Sequence, residues 1–174
     1  MTLIGLYRGK KDYLFSDSLI ETNKNLKKKY FFKGESQGIL VGGILVKPFL
    51  EDYLNSNPQE VKNLIKEYYI DYDYSDFFVP STIISFDLNN EDFNFYFINK
   101  NKSLIEKNIK KYLVSGPSSN YFSKNFKEKN NLSELERIIF SFKECNKFDK
   151  SIKPPLNIII YDKKMKTFVK SDVE

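Results

Sequence analysis

Short apolar runs separated by polar turns open the chain, which is the pattern of paired β-strands. The runs cover residues 2–8, 13–17, 30–33 and 38–41. Gly9 lies in the turn of the first pair and Gly34 in the turn of the second. Aromatic and β-branched residues dominate each run, as they do in strands. The sequence therefore predicts two β-hairpins before residue 43.

The apolar period lengthens to three or four residues after Gly43, and this spacing predicts helices. Four helices are predicted. The first covers 48–55, and the second begins at 57–60 and has Val61, Leu64, Ile65 and Tyr68 on one face. The third lies around Phe122 and Phe126, and the fourth begins at 131–134 and has Leu135, Ile138, Phe142 and Cys145 on one face. Further strands are predicted over 81–88, 93–99, 110–115, 156–161 and 166–169. Strands and helices thus come in separate groups, which favours an α+β fold, a four-layer αββα sandwich of two antiparallel sheets, in one domain spanning 1–174.

The 174 residues include no histidine and one cysteine. Catalytic arrangements that need an imidazole are therefore excluded, as are disulfides within the chain and thiolate metal clusters. We predict no cofactor and no metal. Cys145 lies on the apolar face of its predicted helix, so we interpret it as a packing residue.

The formal charge is +5, from 28 basic and 23 acidic residues, and Arg8 and Arg137 are the only arginines. The tightest basic cluster is 27–29, and the acidic stretch 71–74 interrupts any continuous basic surface. This pattern argues against nucleic acid as a partner. No apolar run approaches the roughly 18 residues of a membrane helix, so we expect no membrane contact and a cytoplasmic location.

Several segments carry specific residues in a fixed order along the chain. They are TLIGL at 2–6, SDS at 16–18, KKYFF at 28–32, GILVGG at 38–43, VSGPS at 114–118, Asp149, and LNIIIY at 156–161. Together with the order of elements, these segments resemble a divergent member of the proteasome β subunit and HslV-type peptidase family. These proteins are N-terminal nucleophile hydrolases, and the resemblance covers nearly the whole chain.

The resemblance implies a specific chemistry. In that family an N-terminal threonine attacks the scissile carbonyl, and its own α-amine relays the proton. An α-amine has a reference pKa of roughly 7.7 to 8.0, so it can serve as a base without histidine. Carried over by position, the catalytic residues are Thr2, Asp17, Lys29 and Asp149, on condition that Met1 is removed. Removal of Met1 is chemically reasonable because the residue after it is small.

Three departures from the family pattern predict a degenerate site. Counting back from Asp17 without gaps puts the nucleophile's position on Met1. Pro117 stands where the family has the serine of a Gly-Ser-Gly turn. Ile152 falls where another active-site serine is expected, with Ser151 adjacent.

Each candidate residue also has a plainer interpretation. Thr2 can be an ordinary strand residue, Asp17 a turn acid that accepts backbone amides, and Lys29 the last of a surface trio. Asp149 is similarly ambiguous, and Lys33 is a weaker alternative to Lys29. The turn at 116–120 is expected to cap the following helix.

Three functions stay open at this point. The first is a proteasome-like subunit with an inactive site that acts as a binding or assembly component. The second is an active threonine-type peptidase or amidase that uses Thr2. The third is a small basic binding protein unrelated to hydrolysis. The resemblance also implies self-association in a ring or dimer, and a protein or peptide is a further candidate ligand.

Overall fold

The structure is a computed structural model that describes residues 3–18, 29–43, 45–57, 61–71 and 80–174. It divides into two compact units. One is formed by both ends of the chain, up to Lys29 and from Lys110 onward, and the other by Tyr30–Ile109. Each unit contains one five-stranded antiparallel sheet and two of the described α-helices. The predicted α+β class with two antiparallel sheets is confirmed.

The first unit builds its sheet from strands that are far apart in the sequence. The elements are β1 (Ile4–Arg8), β2 (Asp12–Ser16), β8 (Tyr112–Ser115), α3 (Ser119–Glu128), α4 (Glu134–Phe148), β9 (Leu156–Asp162) and β10 (Thr167–Val173). The strand order is β10-β9-β2-β1-β8, so the N-terminal hairpin lies in the centre of the sheet. This position explains why β2 is buried along its whole length.

Helices α3 and α4 cover this sheet with an apolar face. The ring of Phe15 on β2 stacks on Phe122 of α3, with ring centroids 5.2 Å apart. Ser133 and Glu136 cap α4 reciprocally, each side chain accepting the other's backbone N–H. Cys145 is fully buried in this core, and burial raises the pKa of its thiol to about 12. Its predicted packing role is therefore confirmed.

The second unit is a meander of neighbouring strands with one helical insertion. Its elements are β3 (Tyr30–Lys33), β4 (Gln37–Gly42), α1 (Lys47–Asn55), α2 (Val61–Ile65) continued by π-helical turns over Lys66–Asp71, β5 (Ser81–Asp87), β6 (Asp92–Ile98) and β7 (Leu104–Asn108). The strand order is β3-β4-β5-β6-β7. Phe49, Tyr69 and Ile83 are buried between this sheet and its helices.

Two strands differ from the prediction. Strand β7 was missed because none of its five residues is buried, so it shows no alternation of apolar and polar positions. Strand β10 extends to Val173, whereas the sequence predicted its end at residue 169. The predicted cap residues 58–60 lie outside the described residues. Within the described part of the chain, none of the helices is long and apolar enough to cross a membrane.

Candidate active site

A buried ion pair lies at the end of the N-terminal hairpin. Asp17 follows β2, and its backbone N–H donates to the carbonyl of Leu3 at 3.0 Å. The Nζ of Lys29 donates to Oδ1 of Asp17 at 2.9 Å, and the two residues are 6% and 0% exposed, respectively. The interpretation of Lys29 as a surface lysine is therefore wrong. Both residues are among the predicted site residues, and the structure brings them into direct contact.

The electrostatics of Asp17 reflect its removal from water. Burial raises the pKa of its carboxyl, while the charge and hydrogen bond of Lys29 act in the opposite direction. The backbone N–H of Lys153 also donates to Oδ2 of Asp17 at 3.4 Å. Asp17 therefore accepts a backbone amide, as the turn interpretation predicted, and also positions a buried ammonium group.

Ser18 ties this corner to the chain that leads into β9. Its backbone N–H donates to the carbonyl of Lys153 at 2.9 Å, and its hydroxyl donates to the carbonyl of Pro155. The side-chain amide of Asn157, which is buried, donates to the Ser18 hydroxyl at 2.8 Å. Sequence reasoning did not identify Asn157 as part of the site. A polar residue within the apolar run 156–161 was the available signal.

A second polar cluster is centred on Asp149, which follows α4. The hydroxyl of Ser118 donates to Oδ2 of Asp149 at 3.0 Å. The hydroxyl and the backbone N–H of Ser151 donate to Oδ1 at 2.7 and 2.9 Å. The hydrogen bonds from Ser151, with a smaller contribution from Ser118, lower the pKa of the Asp149 carboxyl below its usual 3.8. Asp149 is therefore ionised at neutral pH with hydroxyl groups fixed against it.

The geometry of this cluster corrects one prediction, the capping role of the 116–120 turn. Ser118 makes no side-chain capping bond to α3 and adopts a left-handed conformation with φ of 57°, which turns its hydroxyl to Asp149. Ser118 is the residue directly after Pro117. Ile152 is fully buried in the apolar core, and the adjacent Ser151 contacts Asp149. A serine that contacts Asp149 therefore lies beside each of these two departures from the family pattern.

The segment 149–153 connects the two clusters. Its first residue carries the Asp149 carboxylate, and its last, Lys153, binds the Asp17 side chain and the Ser18 backbone. A turn with a 3.2 Å hydrogen bond from the Ile152 N–H to the Asp149 carbonyl shapes the segment between them. Thr2, the predicted nucleophile, lies outside the described residues, and its neighbour Leu3 is the residue bonded to Asp17. Among the described residues, no three carboxylate or thiol side chains are grouped so that they could hold a metal ion.

Solved structures share this fold along nearly the whole chain. Anbu from Hyphomicrobium sp. strain MC1, as a Gly-1 mutant, superimposes with a TM-score of 0.70 at 12% identity, over 100% of this chain and 88% of that one. The chain has a proteasome-subunit-like fold. Eukaryotic HslV from Trypanosoma brucei gives 0.59 at 10% identity over 92% and 98% of the two chains. BPH from Thiobacillus denitrificans, in complex with epoxomicin, gives 0.62 at 10% identity over 92% and 97%.

No family model matches the chain, and no curated protein matches it. The predicted resemblance to proteasome β subunits and HslV is confirmed at the level of the fold.

The buried ion pair makes a prediction about stability. Replacement Lys29→Met leaves the Asp17 carboxylate buried without its ammonium, and we expect a loss of about 3 kcal/mol in the free energy of unfolding. The double variant Lys29→Met/Asp17→Leu should recover most of that loss, because no buried charge is left unpaired. Urea unfolding measures both. Lys47→Met, which breaks the exposed pair with Glu51, is the control and should cost under about 0.5 kcal/mol. Equal losses of unfolding free energy in Lys29→Met and Lys47→Met would contradict the prediction.

The Asp149 cluster predicts a specific acid sensitivity. Since the folded pKa of Asp149 lies below the unfolded value of 3.8, its ionised form adds stability above pH 3.8, and this contribution disappears as the pH falls through the folded pKa. Asp149→Asn should therefore have a lower free energy of unfolding than the wild type at pH 6, and the difference between the two proteins should become smaller below pH 3.8. Denaturant unfolding across pH tests this. The exposed Asp172→Asn provides the same chemical change without these hydroxyl contacts, and a matching gap there would refute the role of Asp149.

Proposed function

We propose that this chain is an N-terminal nucleophile hydrolase that cleaves peptide or amide bonds with Thr2 after removal of Met1. The buried contact between Lys29 and Asp17, at the end of the hairpin that begins with Leu3, carries the proposal. Desolvating an ammonium and a carboxylate costs free energy that a purely structural corner can avoid with apolar residues. A catalytic role for Thr2 would explain why such a pair is kept next to Leu3, the residue that follows Thr2.

In the proposed reaction the Thr2 hydroxyl attacks the substrate carbonyl, and the α-amine of Thr2 accepts the hydroxyl proton. The Lys29 ammonium favours the negative charge that develops near the nucleophile, and Asp17 fixes the position of that ammonium. The protonated α-amine then donates its proton to the leaving amine, which leaves an acyl ester on Thr2. Water, deprotonated by the same amine, hydrolyses the ester and restores the free hydroxyl.

The Asp149 cluster supports the same proposal. Its carboxylate and its two serine hydroxyls form a hydrogen-bonded group that is connected to Asp17 through Lys153. We propose that this group stabilises the charged form of the Thr2 amine between the two proton transfers. Asp149 and the two serines act as positioning residues in this scheme.

A non-catalytic subunit that acts as a binding or assembly component is the second candidate. Pro117 favours it, because proline offers no backbone N–H in the turn before α3, where such a donor could otherwise face a substrate. In this interpretation Met1 is retained and the ion pair fixes only the hairpin.

Mass spectrometry distinguishes the two candidates. The intact mass of protein from the native host reports whether Met1 is removed. In parallel, protein made with a cleavable leader that ends directly before Thr2 is incubated with epoxomicin, the molecule held by the BPH structure. We expect a mass increase of one inhibitor per chain and turnover of a fluorogenic peptide.

Matched variants make the labelling specific. Thr2→Ala should abolish both labelling and turnover, whereas Thr167→Ala at the exposed start of β10 should change neither. Ser118→Ala should lower kcat more than KM, because it disturbs only the positioning group. A retained Met1 in the native host, or labelling that persists in Thr2→Ala, would overturn the hydrolase proposal. The first of these outcomes would favour the non-catalytic subunit.

We also propose that the chain self-associates, as the resemblance implied. Phe148, Met165 and Val169 of the first unit expose 73%, 72% and 61% of their surface, and apolar side chains of this kind are enriched where subunits meet. Light scattering should give a mass that is a multiple of 20.6 kDa, reduced by Phe148→Glu. A mass of 20.6 kDa at every concentration would contradict this proposal.

A further inference from the structure

A polar cavity of about 600 Å³ opens within the second unit, lined by residues of its sheet and of α1 and α2. Its lining residues are Gln37, Gly38, Tyr53, Asn57, Val61, Ser85, Phe86, Asp87, Asn90, Asp92, Asn94 and Tyr96. Two of these are acidic and none is basic, although the chain as a whole carries a charge of +5. The volume lies within the range of small-molecule sites. All of its described lining residues belong to the second unit, and none of them is a residue of the candidate active site.

The strand register sets the two carboxylates side by side. Asp87 ends β5 and pairs directly with Asp92, which begins β6. Residues that are directly opposite in an antiparallel pair point to the same face, and like charges there are destabilising. Gln37 on β4 pairs with Asp87 from the other side, which extends the polar row across three strands.

Neutral amides hold both carboxylates in place. Gln37 and Asn90 donate to Asp87 at 2.9 and 2.8 Å, and Asn94 and Asn108 donate to Asp92 at 3.1 and 3.0 Å. Burial raises the pKa of Asp87, but these amide donors outweigh it and lower the pKa below 3.8. Among the described residues neither carboxylate forms a salt bridge. The two negative charges are therefore fixed in position and not neutralised.

Tyr53 of α1 supplies a second, independent feature of the cavity. It is 2% exposed and lines the cavity, and its hydroxyl has no hydrogen-bond partner among the described residues. Since Tyr53 lines the cavity, a ligand or water in the cavity can bond to this hydroxyl. Lys33 lies nearby, but its ammonium donates to the Tyr53 carbonyl at 3.0 Å and closes the end of α1.

We propose that this cavity binds a small aliphatic polyamine. One ammonium group lies between Asp87 and Asp92, the Tyr53 hydroxyl accepts a hydrogen bond from a second nitrogen, and the methylene chain contacts Val61 and the tyrosine rings. An ammonium group can donate to carboxylate oxygens that already accept amides. A divalent cation instead requires about six oxygen ligands in a tight shell, which is far smaller than this cavity.

Calorimetric titration of the full chain with spermidine tests the proposal. We expect saturable 1:1 binding that weakens about 10-fold or more in Asp87→Asn and in Asp92→Asn, since each loses a charge-assisted contact. Tyr53→Phe should weaken binding while leaving the melting temperature of the free protein nearly unchanged, because it keeps the buried ring and removes only the hydroxyl that is proposed to bond the ligand. This variant keeps the test valid even if an aspartate variant folds poorly.

Three comparisons decide the outcome. The uncharged chain analogue 1,6-hexanediol should not bind. Glu51→Gln on the exposed face of α1 removes one negative charge in the same unit and should leave spermidine binding unchanged. Absence of spermidine binding at millimolar concentration, equal weakening by Glu51→Gln, or displacement of spermidine by equimolar Mg²⁺ would each overturn the proposal, the last in favour of an inorganic cation site.

Discussion

The ion pair between Asp17 and Lys29 is the constraint on which the first unit depends. Both charges are out of water, so each requires the other, and their contact holds Lys29 at the end of the hairpin. The Asp17 carboxylate also holds the Lys153 amide, and Ser18 beside it holds the same residue's carbonyl. One buried corner therefore positions the hairpin, the turn that carries Asp149, and the entry into β9.

The two units hold their carboxylates in opposite ways. In the first unit a carboxylate is neutralised by an ammonium group at 2.9 Å, and the corner needs no further charge. In the second, Asp87 and Asp92 are held only by uncharged amides and stay negative as a pair. A network that pairs opposite charges stabilises a defined geometry, whereas one that leaves its carboxylates without a cation attracts an ion of opposite sign. The two proposals for this chain, one catalytic and one of binding, rest on this contrast.

Much of the fold follows from short-range pattern. The hairpins were predictable because alternation and glycine turns are local signals, and α4 because its cap and apolar face lie within one stretch of sequence. Asp17, Lys29 and Asp149 could be placed only through resemblance. The contacts of Ser118 and Ser151 with Asp149 could not be assigned, because they depend on the left-handed backbone at Ser118 and on the turn after α4, and the spacing of the motif indicates neither. Strand β7 could not be predicted, because none of its residues is buried and only its pairing with β6 defines it as a strand.

The first unit is closed by the two ends of the polypeptide, with β2 paired to β9 across more than a hundred residues. During synthesis on the ribosome, the second unit is complete while the partner strands of the opening hairpin have not yet been translated. The hydrogen bond between Lys153 and Asp17 can therefore form only after residue 153 has been translated. The corner around Asp17 thus becomes organised later in synthesis than every strand of the second unit, although Asp17 itself is made before all of them.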